Sequence, residues 1–217
     1  MAKPTKELTP MQRQYQEIKE RNQDCILFFR LGDFYEMFNE DAKVAARELD
    51  LTLTSRDRSK PKEEQTPMCG VPYHSVDAYI ARLVQKGYKV AICEQMEDPA
   101  TAKGLVEREI TRIVTPGTVT ESCMLDESKN NYIGCIYGES GKFGLAFCDV
   151  STGAFFTTVC SDAQNVASEL GRFAPSEILR YGSNVDCEVI EDAVFRRLSC
   201  CVSEGKPELF VLESAES

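Results

Sequence analysis

The 217-residue sequence contains no tryptophan and a single histidine, His74. Its ten cysteines are scattered and no two form a Cys-x-x-Cys pair, so neither a zinc site nor a disulfide framework is predicted. No apolar run approaches the ~20 residues that a membrane-spanning helix needs, and the first residues lack the apolar core of a signal peptide. We therefore expect a cytoplasmic globular protein with reduced cysteines and no bound metal.

Basic residues are also scarce, because 25 Lys and Arg stand against 35 Asp and Glu and leave a net charge of −10. The excess of acid is uneven. Residues 1–120 hold 18 basic and 19 acidic side chains, whereas residues 121–217 hold 7 and 16. An acidic surface repels phosphate. The second half is therefore a poor candidate for contact with nucleic acid, while the balanced first half can carry a basic face.

The stretch from Ile26 to Phe38 concentrates the aromatic residues of the first half. Residues 26–29 form an apolar run typical of a buried strand, and Gly32 then predicts a bend or bulge. Apolar residues recur at helical intervals from there, which predicts a helix from about Asp33 to about Asp50. If the junction is extended, Phe34 and Glu36 point to the same side. The alternative is purely structural. The aromatic residue would pack in the core, and Glu36 would be an acid in the first turn of the helix, where the helix dipole favours it.

Strands and helices alternate through the rest of the first half, beginning with a helix whose start is marked by Thr9 and Pro10. After a linker at residues 121–130, three closely spaced strands predict an antiparallel meander, followed by a helix at residues 163–173. The expected fold class is therefore mixed α/β, with a mixed sheet layered with helices in the first half.

Residues 138–142 resemble a phosphate-binding loop at first sight. Phe143 stands where such a loop has Ser or Thr, and no helix follows, so a hairpin turn is predicted instead. Asp149 has no partner acids in convincing positions for a metal. No nucleophile, general base or cofactor fingerprint is present elsewhere, and we expect that the chain is not an enzyme and has no catalytic residue.

Five ordered motifs resemble the N-terminal domain of the MutS family of DNA mismatch-repair proteins, and the resemblance continues more weakly to the end of the chain. The motifs are Arg30-Leu-Gly-Asp-Phe-Tyr-Glu-Met-Phe38, Gly70-Val-Pro-Tyr-His74, Ala91-Ile-Cys-Glu-Gln95, Asp98-Pro-Ala-Thr-Ala-Lys-Gly104 and Arg112-Ile-Val-Thr-Pro-Gly-Thr118.

The resemblance implies a mismatch-recognition domain at residues 1–120, a linker at 121–130 and a connector domain with a ribonuclease-H-like α/β fold at 131–217. The connector of the family is longer, so an incomplete sheet is expected here. This sequence does not contain the ATPase and clamp segments of the family. The resemblance therefore assigns ATP and Mg²⁺ to the full-length family only, and no cofactor to this chain.

The same resemblance assigns roles to two side chains. Phe34 would stack on the mispaired base of kinked DNA, and Glu36 would form a hydrogen bond with that base. Stacking tolerates any base and contributes roughly 1–3 kcal/mol per base, which suits recognition of many mispairs. Arg56, Arg58, Lys60, Lys103, Arg108 and Arg112 are candidates for phosphate contact, and we favour Arg58 and Arg108 among them.

The partners implied are mismatched double-stranded DNA, a MutL-type protein that meets the connector, and a second subunit in a clamp-like homodimer. Whether this chain alone is a monomer stays open, and no membrane partner is expected. Two other functions are considered. One is a DNA-structure or protein-interaction module of a MutS paralogue without mismatch specificity, which would lack the Phe-x-Glu pair. The other is a nuclease built on the ribonuclease-H-like half.

Overall fold

The computed structural model describes residues 8–56, 61, 65–97, 102, 104–120, 124–125, 128–198 and 200–211. The chain divides into two compact units between Val114 and Thr115. Each unit has its own mixed sheet and its own helices, so the predicted mixed α/β class is confirmed. Within the described residues, no helix combines the length and the hydropathy needed to cross a membrane.

The first unit contains a six-stranded sheet with the order β3-β4-β2-β1-β5-β6. Strands β1 and β5 are parallel, and the other neighbours are antiparallel. The strands are β1 (Cys25–Leu31), β2 (Phe34–Phe38), β3 (Thr54–Ser55), β4 (Pro67–Pro72), β5 (Lys89–Gln95) and β6 (Arg108–Val114). The helices are α1 (Pro10–Glu20), α2 (Asn39–Leu49) and α3 (Val76–Gln85).

Helix α1 begins as the sequence predicts. Thr9 accepts a hydrogen bond from the backbone N–H of Gln12, the Gln12 side chain returns to the Thr9 backbone, and Pro10 occupies the first turn. Tyr15 on its inner face packs edge-on against Phe29 and Phe38, with ring centroids 5.4 and 5.0 Å away. This contact closes the apolar core between α1 and the sheet.

Helix α2 begins at Asn39, so the prediction that it starts near Asp33 is wrong. Residues 34–38 form strand β2 instead, with Tyr35 and Met37 buried on alternate positions. Met37 and Phe38 fit a helical spacing as well as a strand spacing, and the pairing of β2 with β1 and β4 decides between the two.

The second unit contains a five-stranded sheet with the order β11-β10-β7-β8-β9. Its strands are β7 (Tyr132–Glu139), β8 (Lys142–Asp149), β9 (Ala154–Cys160), β10 (Glu177–Gly182) and β11 (Cys201–Glu204). Helix α4 (Ala163–Phe173) and helix α5 (Glu188–Glu191), which continues as a π-helix through Leu198, complete the unit. Ile136, Phe147, Leu170 and Ile178 lie at the centre of its core.

The predicted meander is confirmed, because β7, β8 and β9 pair as successive antiparallel neighbours. Ser140 and Gly141 both have positive φ, as a two-residue turn of the mirror-image type requires. The loop at residues 138–142 is therefore the hairpin turn that the sequence predicts.

The turn at residues 115–118 belongs to the second unit. The Thr115 hydroxyl donates to the Glu177 carboxylate, the Gly117 N–H donates to Glu177 Oε2 at 3.2 Å, and Asn131 donates to the Pro116 carbonyl at 2.9 Å. The linker at 121–130 stays a prediction, because residues 121–123 and 126–127 lie outside the described part of the chain.

Candidate nucleic-acid interface

A tight hairpin between β1 and β2 carries the candidate site. Leu31 pairs with Phe34 across a turn of two residues, and Gly32 supplies the positive φ of 60° that such a turn needs. Pro72 of β4 pairs with Phe34 on its other side. The backbone of Phe34 is thus held by strands on both sides, while its side chain is 47% exposed. The sheet therefore fixes the backbone position of Phe34 while the ring is open to solvent.

Tyr35 points to the opposite side of the sheet and is buried. Its hydroxyl donates to the carboxylate of Glu94, and its ring lies 6.1 Å from that of Phe28. Burial, together with the Glu94 carboxylate, raises the pKa of Tyr35 to about 12, so the phenol stays neutral at physiological pH. Tyr35 therefore connects β2 to β5 through its contact with Glu94.

Glu36 lies on the same side of β2 as Phe34, and its side chain is 21% exposed. Gly70 is its cross-strand neighbour on β4 and presents no side chain toward it. The Oε2 atom of Glu36 is buried and accepts no hydrogen bond within the described residues. Among the described residues, Arg56 is the cation paired with it, and the Nη1 atom of Arg56 lies 3.5 Å from Oε2 without hydrogen-bond geometry.

This environment makes the ionised form of Glu36 unfavourable. Burial raises the pKa of the carboxyl above its ordinary value, and Arg56 opposes that change. When a buried carboxylate oxygen has no hydrogen-bond donor, the free-energy cost of removing it from water is not compensated. Glu36 can recover that cost by accepting a hydrogen bond from a ligand, or by binding a proton and donating one.

The turn of the hairpin is held by contacts from neighbouring segments of the sheet. The Arg30 guanidinium stacks on the ring of Tyr73 at 4.0 Å and lies 3.6 Å from Glu94 Oε2. The Tyr73 N–H donates to the Asp33 carbonyl at 3.0 Å, and the Gly32 N–H donates to Gln95 Oε1 at 3.1 Å. The turn beside Phe34 is therefore tied to both β4 and β5.

Models of two protein domains match the chain, MutS domain I over residues 9–123 and MutS domain II over residues 131–217. Together they cover most of the sequence. The chain belongs to the MutS family.

Curated MutS proteins show the same relationship. The chain is 53% identical to DNA mismatch repair protein MutS of Acetivibrio thermocellus over 209 residues, which covers 95% of this chain and 24% of that protein. The proteins of the same name from Clostridium tetani and Caldicellulosiruptor bescii are 54% and 56% identical over 186 residues, covering 85% of this chain and 21% of each relative. The chain thus spans about a quarter of the length of the MutS proteins it matches.

The structure brings Phe34, Glu36 and Arg56 together on one part of the MutS domain I unit, but it does not bring Arg108 there. Arg108 is 7% exposed and lies over the ring of Phe29, with its guanidinium 5.0 Å from the ring centroid. It donates to the Arg30 carbonyl at 2.8 Å and to Gln14 Oε1 at 3.0 Å. A guanidinium used in this way has no free surface for phosphate, so the assignment of Arg108 as a surface contact is corrected.

Three other phosphate candidates, Arg58, Lys60 and Lys103, lie outside the described residues. Arg112 is exposed on β6, at the edge of the sheet away from β2. Arg30, Tyr73 and Gln95 support the hairpin, and no local pattern in the sequence predicts this role for them. Each of the three residues lies inside one of the quoted motifs, and the presence of those motifs together is the only signal that could have identified them. That the three residues meet at one hairpin depends on the strand order of the sheet.

Proposed function

We propose that this chain recognises mispaired bases in double-stranded DNA, with Phe34 as the stacking residue and Glu36 as the base-contacting residue. The observation that carries the proposal is the presentation of a half-exposed aromatic ring and a poorly satisfied carboxylate on the same side of one rigid hairpin. Membership of the MutS family, whose curated relatives carry the name DNA mismatch repair protein, supports it.

The ring provides the energetic part of the recognition. Unstacking a paired base step costs a few kcal/mol, and a mispair lowers that cost. An aromatic side chain that enters from the minor groove can stack on the exposed base and stabilise a kink. Because Phe34 is supported by Leu31 and Pro72 on either side, little ordering of its backbone is needed when it binds.

Glu36 provides selection. A carboxylate beside DNA is repelled by phosphate, so it favours binding only where a base offers a specific hydrogen bond. The raised pKa of Glu36 makes both uses accessible, acceptance from a ring N–H and donation after protonation. Arg56 can balance part of the charge of Glu36 or turn to a nearby phosphate.

The paralogue alternative predicts a domain without the Phe-x-Glu pair, and the presence of both residues favours mismatch recognition. The nuclease alternative needs a free acid. Asp149 instead closes its own turn, accepting from the Ser151 N–H at 2.9 Å and the Ser151 hydroxyl at 2.7 Å. Metal-dependent cleavage of labelled DNA would be the result in favour of a nuclease.

The remaining activities of the family are proposed for parts of the longer relatives that this chain does not match. These are ATP hydrolysis with Mg²⁺ and clamp-like dimerisation. Contact with a MutL-type partner is proposed for the domain II unit, because its acidic composition fits a protein partner better than DNA.

The proposal is tested in a full-length MutS relative whose domains I and II are replaced by this chain. The measurement is the ratio of affinities for a mismatched and a matched duplex. Phe34→Ala should reduce that ratio by roughly 5- to 150-fold, since loss of stacking removes roughly 1–3 kcal/mol that only the mispaired site recovers. The matched control is Phe195→Ala, which removes an equally exposed ring (49%) from the second unit. An undiminished ratio for Phe34→Ala would defeat the assignment.

A further inference from the structure

Strand β9 forms one end of the sheet in the domain II unit and exposes unusually large apolar side chains. Phe155 is 63% exposed and Val159 is 72% exposed. The two side chains lie on the same face of the strand, with Thr157 between them. Within the described residues no further strand pairs with the outer edge of β9.

Within the described part of the chain, β9 has none of the usual features that keep a sheet edge from pairing. Natural edge strands carry charges, prolines or bulges, or are covered by another element. From Ala154 to Cys160 the sequence has no charged residue and no proline. Its register with β8 is unbroken from Phe143↔Cys160 to Asp149↔Ala154. A regular, uncharged and apolar edge is a template for another strand.

The residue order of β9 identifies the partner that fits. In the segment Ala-Phe-Phe-Thr-Thr-Val-Cys, two aromatic residues precede Thr157 and two β-branched residues follow it. If β9 meets a second β9 in antiparallel orientation about that residue, Phe155 stands opposite Val159 twice and Phe156 stands opposite Thr158 twice. Pairs of an aromatic and a β-branched residue are favourable across strands. Thr157 meets Thr157 on the axis, and no like charges face one another.

We propose that β9 is a self-association surface, at which a second copy of this chain pairs its own β9 antiparallel about Thr157. The inference does not depend on the DNA-binding proposal. Such a contact uses the same edge on both copies and therefore closes as a dimer. The opposite end of the sheet does not extend it into a filament, because β11 has four residues and ends at Glu204, which pairs with Arg180 at 2.6 Å.

A single strand pair is a small interface, well below the ~1,600 Å² of a standard complex. The association is therefore weak and dependent on concentration. Each copy carries a charge of −10, which opposes association over long distances. Because salt screens that repulsion, dimerisation strengthens as the NaCl concentration rises. Binding of a basic peptide to the same edge would weaken with salt, so the salt response separates the two occupants.

The test is sedimentation velocity of the 217-residue chain from low to high micromolar concentration, at low and high salt. We expect a shift from monomer to dimer that grows with concentration and with salt. Thr157→Lys and Thr157→Glu each place like charges on the axis and should abolish the dimer. An equimolar mixture of the two variants should restore it, because the axis then holds one opposite-charge pair.

Thr111→Lys is the matched control, because Thr111 is an exposed strand threonine of the other unit and its substitution leaves β9 intact. This variant should dimerise as the unmodified chain does. A monomer at all concentrations would overturn the proposal. So would a dimer that survives both Thr157 variants, or a mixture of the variants that stays monomeric.

Discussion

At the scale of single residues, the role proposed for Glu36 conflicts with the stability of the folded protein. Its carboxyl is partly buried, one oxygen accepts no hydrogen bond among the described residues, and its pKa is raised. Under the proposed function, a group with these properties serves the bound base and lowers the stability of the free protein. The conflict gives a direct prediction for folding stability.

Glu36→Gln should raise the melting temperature at pH 7. The folded-state pKa of Glu36 lies above the unfolded value, so the native state binds more protons and its stability falls as pH rises through that window. The neutral amide removes this dependence. The gain should therefore disappear below about pH 4, where the carboxyl is protonated in both states.

Thermal unfolding of both proteins at pH 7 and at low pH measures this effect. The control is Glu40→Gln, since the Glu40 side chain is 80% exposed and its ion pair with Lys43 contributes little. If Glu36→Gln lowered the melting temperature at pH 7, the carboxylate would be stabilising and our description of its environment would be wrong.

At the scale of elements, strand β4 shapes the space in which Glu36 moves. Gly70 stands opposite Glu36, and a Cβ atom built at Gly70 would lie 3.2 Å from the Tyr35 carbonyl oxygen and 3.5 Å from Glu36 Cγ. The first distance is closer than ordinary van der Waals contact, so β2 or β4 must shift slightly to admit a methyl group.

Gly70→Ala should destabilise the domain by roughly 1 kcal/mol, as mild overpacking does, and should also lower mismatch discrimination. Urea denaturation and the affinity ratio in the chimeric MutS measure the two effects. Gly144→Ala is the matched control for stability, because a Cβ atom there would meet only Tyr137, at 3.9–4.0 Å. Equal stability of the Gly70 and Gly144 variants would show that β4 does not constrain Glu36.

The hairpin also shows how far sequence reasoning reaches at this scale. Alternation along residues 34–36 is sufficient to predict that Phe34 and Glu36 share a side if the junction is extended. The same rule could not place the start of α2, because Met37 and Phe38 satisfy both periodicities. The pairing of β2 with β1 and β4 settles it, and Met37 and Phe38 pair with Cys69 and Met68 of β4, thirty or more positions away.

The burial of Arg108 could not be predicted for a related reason. A charged residue in a strand with polar neighbours is typical of a surface, and most such residues are exposed. Its burial depends on the Phe29 ring and on carbonyl oxygens from distant segments, which no local pattern encodes. The fold class and the motif residues were thus predictable from the sequence, whereas the contacts that support them were not.

At the scale of the whole molecule, the charge distribution limits how DNA can be bound. The first 120 residues are nearly neutral, and the acidic second half repels phosphate. Arg56 is the cation that the described structure places beside the proposed site. The described residues therefore support one cation, Arg56, for contact with phosphate at this site.

The affinity of the isolated chain for a mismatched duplex should consequently be weak and only mildly dependent on salt. A plot of log affinity against log salt should have a slope of about −1 to −2, which corresponds to one or two phosphate contacts. Fluorescence anisotropy over a range of NaCl concentrations gives this slope. A much steeper slope would mean that an extended basic surface binds the duplex, contrary to our assignment.

The most direct test of the central claim is a ¹⁹F NMR spectrum of the chimeric MutS with fluorinated phenylalanine, in which the Phe34 signal is assigned by its absence in Phe34→Ala. Stacking on a base places the ring in the shielding region of that base. We predict an upfield shift of the Phe34 signal on addition of mismatched duplex, and little change with matched duplex. A Phe34 signal that stays unshifted while the mismatched duplex is fully bound would contradict the account.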